Sequence, residues 1–212
     1  MRGRKAAGKL GRAGAVAAAL LATPSPAAAH TVFQGVGSLW SGAAHLLTSL
    51  DQLGFLLGLG IWTSFHEPRL DARVIAAILA ALFAGDLIGA AVGGDNGALA
   101  AGLMTLAGLA GAARLRAGAA PVLGVAAFGG LAGAAAAGGA AAGPGLAGWP
   151  SAVLYAFGGS LAGGSVLSYG LLAARRLGTA WGSIALRAAA SWIAAIGMMM
   201  LALSWARATG RV

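Results

Sequence analysis

Ser41, His45, Thr48 and Gln52 are spaced four, three and four residues apart, and Ser49 and Asp51 flank them. On one continuous helix this spacing aligns the four side chains as a polar stripe. The stripe falls inside an apolar stretch, residues 40–62, whose lipid surroundings would satisfy none of these groups. It must therefore face other helices or a water-filled cavity. An imidazole, a carboxylate and neutral oxygens together can ligate a divalent transition metal. The same set could equally conduct protons or form a purely structural hydrogen-bond network.

A second acid, Asp86, lies in the apolar run LFAGDLIG, where a charge costs about 2.5–3.5 kcal/mol on insertion scales and so needs a reason. Asp95 and Asn96 form the turn that follows, and the chain beyond Asp95 contains no acid and no histidine. Any polar pathway is thus concentrated in the first two apolar segments and the turn beside them. His30 has its own chemistry if processing makes it the N-terminus, because the free amine and the imidazole would chelate copper or nickel. The plainer reading, favoured here, is an ordinary residue after a signal cut. His66 and Glu67, beside Pro68 in a connecting loop, read as solvated interface residues.

These side chains need elements to position them, and the composition says which kind. Of 212 residues, 59% are hydrophobic and only 9% charged, against about 25% charged in soluble domains. Lipid is the solvent that fits so much apolar surface. The 37 glycines are scattered through apolar runs, as expected where small residues let helix backbones approach closely. Recurrences at four-residue spacing (Gly54 with Gly58; Gly85, Gly89 and Gly93; Gly129 with Gly133; Gly159 with Gly163) mark expected helix crossings. They are not nucleotide loops, since no strand precedes them. With no cysteine there is no disulfide, thiolate metal site or catalytic thiol.

Residues 1–12 are basic, 13–22 apolar, and 23–29 (TPSPAAA) small and broken by proline. That is the layout of a secretory signal peptide cut after Ala29, with a retained short anchor as the alternative. Its apolar part of about ten residues is too short to cross a hydrocarbon core of roughly 30 Å. The expected organisation is a signal at 1–29 and one transmembrane helical-bundle domain at 30–212. Six spans are expected near 40–62, 74–93, 97–114, 119–142, 151–174 and 181–205. The fold class is therefore all-α: a polytopic membrane bundle of about six helices.

The net charge of +9 is placed as topology information and not as a nucleic-acid-binding face. Six arginines, Arg69, Arg73, Arg114, Arg116, Arg175 and Arg176, fall in alternate loops, and the intervening loops carry none. The positive-inside rule puts them in the cytoplasm, with the mature N-terminus and the C-terminus on the periplasmic side of a bacterial inner membrane.

The stretch HLLTSLDQLGFLLGLGIW, residues 45–62, resembles the first-helix motif HPxxGxDH of the HupE/UreJ family. His45 and Asp51 match that motif, while Leu46, Ser49 and Gln52 replace its proline, glycine and second histidine. GDNGALAAGLMTLAGL resembles the family's third-helix region, with Asp95 near its usual glutamate. FGGLAGAAAAGG, residues 128–139, resembles the run FGxxHGxAHGxE, with Ala132, Ala136 and Gly139 at the positions of two histidines and a glutamate. YAFGGSLAGGSVLSYG, residues 155–170, resembles the next helix, with Leu167 in place of a histidine, and IALRAAASWIAAIGMMMLAL has the character of the last. The resemblance covers essentially the whole mature chain.

What the resemblance implies is a hydrogenase or urease accessory membrane protein that acts as a nickel or cobalt permease. His45, Asp51 and Gln52 would then be pathway ligands, Asp86 and Asp95 relay or mouth carboxylates, and His30 an external capture site. The ion would be cargo, with no cofactor held permanently. The missing imidazoles support a second expectation, a non-transporting membrane partner or scaffold of a metalloenzyme or membrane complex. Expected partners are the lipid bilayer, the divalent ion and either another membrane protein or further copies of the chain; nucleic acid is not among them. An enzyme is not expected, because there is no HExxH, no Ser-His-Asp order on external elements and no carboxylate pair in one cleft.

Overall fold

A computed structural model describes residues 37–66, 68–92, 97–141, 148–177 and 179–211. The signal segment, His30, Glu67, Asp95 and Asn96 lie outside the described residues. Among the described residues every regular element is an α-helix. These are α1 (Ser38–Thr48), α2 (Leu50–Ser64), α3 (Pro68–Val92), α4 (Gly97–Ala112), α5 (Ala119–Ala141), α6 (Trp149–Arg176) and α7 (Ala180–Ala208). The all-helical bundle is as expected: in lipid, a helix satisfies its backbone groups within the segment itself.

The described residues do not confirm the count of six spans. Among the described residues, three helices are long and apolar enough to cross a membrane, through Leu70–Ala91, Trp149–Arg176 and Ala180–Ala208, and a fourth if α1 and α2 are taken as one bent span. At 16 residues α4 is about 24 Å long by its rise per residue, short of the hydrocarbon thickness. The apolar part of α5, Ala119–Ala135, is likewise short.

The first expected span is also not one helix. At Ser49 the backbone is extended (φ −82°, ψ 100°), and α1 and α2 meet there at a bend of 71°. Thr48 Oγ1 donates to the carbonyls of Ala44 (2.9 Å) and His45 (3.1 Å), while Ser49 Oγ donates to His45 (2.7 Å). Hydroxyls turned back onto the preceding turn compete with the helix ladder and bend it. Ser49 N–H still reaches the His45 carbonyl at 3.0 Å, which closes α1, and the Ser49 carbonyl accepts Leu53 N–H at 2.9 Å, which opens α2. Few backbone groups are lost at the break.

The core is built around α2, which packs against α4, α6 and α7. Leu56 and Leu59 of α2 are completely buried, among Val74, Ile78 and Leu82 of α3, Met104 of α4, Val122 of α5 and Leu167 of α6. The tightest crossing joins α1 to α6. A Cβ on Gly42 would strike the Tyr155 carbonyl, and one on Gly158 would strike the Leu39 carbonyl, so the two backbones touch reciprocally. Sequence spacing did not mark this pair. Of the glycines it did mark, Gly85 packs on the Leu131 carbonyl and Gly58 on Ala107 and Gly108, whereas Gly133 has nothing within 4 Å of its Cβ position.

Candidate functional site

The bend at Ser49 redistributes the polar stripe. Ser41, His45 and Ser49, at spacings of four, occupy the buried face of α1. Thr48 points outward, exposed and bonded to its own helix, so it does not belong with them. Ser49 takes its place, with Oγ 3.5 Å from His45 Nε2.

His45 looks across the Gly42–Gly158 crossing at Tyr155 of α6, their ring centroids 5.9 Å apart and tilted by 44°. Tyr155 is 3% exposed, and its hydroxyl has no hydrogen-bond partner among the described residues. Asp86 of α3 is also buried, at 7% exposure, and lies within electrostatic reach of Tyr155. Its Oδ2 sits 2.9 Å from where a Cβ on Gly159 would stand, with the Gly42 carbonyl 3.6 Å from the same point. The absence of a side chain at residue 159 makes room for the carboxylate. Three helices thus bring an imidazole, a phenol and a carboxylate to one buried place that also exposes the backbone of α1.

Asp51 and Gln52 go elsewhere. Past the bend, Asp51 Oδ1 accepts the Gln52 N–H (2.9 Å) in the first turn of α2, where a carboxylate also meets the positive end of the helix dipole. Gln52 Nε2 donates to the Gly133 carbonyl of α5 at 3.4 Å. Both line a narrow cleft with Phe55, Leu82, Leu103 and Gly129. Leu82 and Asp86, one turn apart on α3, place this cleft next to the His45–Tyr155–Asp86 group. No cluster of three or more His, Cys, Asp or Glu side chains able to hold a metal exists among the described residues. These groups are separate oxygen and nitrogen donors of the kind that suit a divalent cation, and among the described residues they form no closed coordination cage.

The expected ligands are therefore split: His45 and Asp86 each stand beside Tyr155, and Asp51 stands with Gln52. Tyr155 escaped sequence reasoning because an aromatic in an apolar run reads as packing. Its place, six residues after Trp149 and near the start of the segment, is also where membrane tyrosines usually sit, so nothing in the sequence singled it out.

The model of the HupE / UreJ protein family matches residues 18–200. The chain belongs to the HupE / UreJ family. Nothing matches it among curated proteins or among solved structures. In this HupE / UreJ membrane protein, two of the positions that resemble the family's histidines are built into apolar packing. Leu167 is fully buried in the core, and Ala132 packs partly buried against it.

The arginine-bearing loops of the HupE / UreJ chain gather at one end of the bundle. Arg175 of α6 clamps Asp71 of α3 with Nε–Oδ2 at 2.6 Å and Nη2–Oδ1 at 2.7 Å, and also donates to the carbonyls of Ser64 (3.1 Å) and His66 (3.0 Å). His66 is not a merely solvated residue, as the sequence reading had it. Its Nδ1 lies 3.0 Å from the Trp62 carbonyl and its Nε2 3.4 Å from Ala117 N–H. A backbone N–H can only donate, so Nε2 is the acceptor and Nδ1 carries the proton. One neutral tautomer thus joins the end of α2 to the start of α5.

Proposed function

We propose that this HupE / UreJ protein is a permease for a divalent first-row cation, nickel or cobalt, with a reduced ligand set. The observation that carries this reading is the buried Asp86 carboxylate, lodged in the space left by Gly159 and within electrostatic reach of Tyr155, whose ring packs beside His45. A carboxylate placed this deep in an apolar bundle is costly and is usually functional. Neutral imidazole and carboxylate are suitable donors for these cations. Asp51 and Gln52 form the adjoining step, and Asp95 and His30 an entry or capture point. The ion is cargo, so an open set of donors suits it better than a cage. The arginine-rich end faces the cytoplasm of a bacterial inner membrane, after removal of the first 29 residues, with both ends of the mature chain in the periplasm.

The test is uptake of radiolabelled nickel and cobalt into proteoliposomes. Saturable uptake should fall about tenfold or more in Asp86→Asn and in His45→Ala, the scale on which metal affinity responds to a lost polar partner. Uptake no greater than in empty liposomes, from protein shown to be folded and inserted, would sink the permease reading.

A second reading has its own support. Leu167 and Ala132 offer no donor, and no three-ligand cluster occurs among the described residues. This favours a non-transporting membrane partner of a metalloenzyme, for which a pull-down with that enzyme would replace the uptake assay.

A further inference from the structure

At the arginine-rich end lies a cleft of about 410 Å³, a volume typical of small-ligand sites. Arg114, Arg116 and Arg175 line it together with Phe65, Ser183 and Leu186. The three arginines are not equivalent. Arg175 is spent on Asp71 and on two backbone carbonyls, and this is the one ion pair among the described residues. Arg114 stacks its guanidinium over the Phe65 ring at 4.7 Å, which fixes the group while leaving its N–H edges open. It does so from a left-handed backbone position, φ 50°, which a side chain of this size adopts at a cost. The Arg116 guanidinium has no hydrogen bond or ion pair among the described residues.

Two cations with unmet charge therefore flank a concave site whose other wall is the start of α7, the positive end of a long helix dipole. Planar guanidinium forks match the geometry of phosphate oxygens. We propose that this cleft binds a phosphate ester or free phosphate through Arg114 and Arg116. The site lies at the helix ends, where phospholipid headgroups would lie, and Leu115, Leu177 and Trp181 around it are 53%, 46% and 83% exposed. An anionic phospholipid would meet both the cations and this apolar rim, and basic pockets between transmembrane helices bind such headgroups. The inference does not depend on metal transport.

The test uses the purified full chain, stripped of lipid and offered phosphatidylglycerol and phosphatidylcholine in equal amounts, with retained lipid read by native mass spectrometry. A parallel arm follows the thermal shift produced by inorganic phosphate. The wild type should retain phosphatidylglycerol preferentially. Arg116→Gln should weaken retention about fivefold, the effect of one basic residue at a membrane surface, and R114Q/R116Q should weaken it further. R207Q/R211Q, at the other end of α7, should leave it unchanged. Arg116→Gln removes no hydrogen bond or ion pair found among the described residues, so it should melt like the wild type and decides the matter even if the double variant fails to fold. A phosphate shift lost in Arg116→Gln, without lipid preference, makes the ligand a soluble phosphate and still supports the site. Equal retention of both lipids by the wild type together with no phosphate shift overturns the proposal. So does undiminished binding of lipid and phosphate in Arg116→Gln.

Discussion

The carboxylate of Asp86 occupies the space a side chain at residue 159 would need: Oδ2 lies 2.9 Å from the Cβ position of Gly159. A methyl group there must displace the acid or part α3 from α6, an overpacking cost of about 1–3 kcal/mol. Gly159→Ala should lower the melting temperature modestly and reduce cation uptake more than the stability loss explains. Gly102→Ala, outside the Asp51–Gln52 cleft and with nothing within 4 Å of its Cβ position, should leave both near wild type. Melting curves and uptake on the same preparations check this.

The α1–α6 crossing is stricter, because Gly42 and Gly158 each meet a backbone carbonyl rather than a movable side chain. Alanine at either position should destabilise by about 3 kcal/mol or more, the upper range for overpacking, and sharply reduce folded protein in the membrane fraction. Gly124→Ala, in a helix and with open space around it, should be stabilising by about 0.5–1 kcal/mol through helix propensity alone. Denaturation in a fixed detergent distinguishes the two outcomes.

Arg175 and Asp71 are only 26% and 20% exposed, and their bidentate pair ties α6 to α3. Lysine keeps the charge but loses the fork and the carbonyl bonds that go with it. Arg175→Lys should therefore cost about 1–3 kcal/mol, less than the 3–5 expected for a fully buried pair. The double variant with Asp71→Asn should lose less than the sum of the single losses, which a double-mutant cycle would measure.

Ser49 and Thr48 make the same kind of bond to the preceding turn, but only Ser49 is buried beside His45. Ser49→Ala should cost about 1 kcal/mol and disturb cation uptake by removing the hydroxyl beside the imidazole. Thr48→Ala should change neither. An equal effect of the two substitutions on uptake would restore the four-residue stripe that the spacing suggested.

The amino-acid sequence by itself determined the solvent and the element type. A chain with so few charges and so many apolar runs must lie in lipid, and lipid admits helices because each satisfies its own backbone. It also located the buried acid at Asp86, the buried histidine at His45 and the arginine-bearing loops, since charge and hydropathy are local properties. Tertiary structure decided which of these groups meet. The break at Ser49 turns on competition between two hydroxyls and the helix ladder, and residue spacing assumes that the ladder wins. With the bend, His45 faces Tyr155 while Asp51 and Gln52 turn toward α5. Tyr155, 110 positions after His45 by their numbering, joins the group because Gly42 and Gly158 let two backbones touch. That contact lies between distant segments, and no periodicity within either one encodes it.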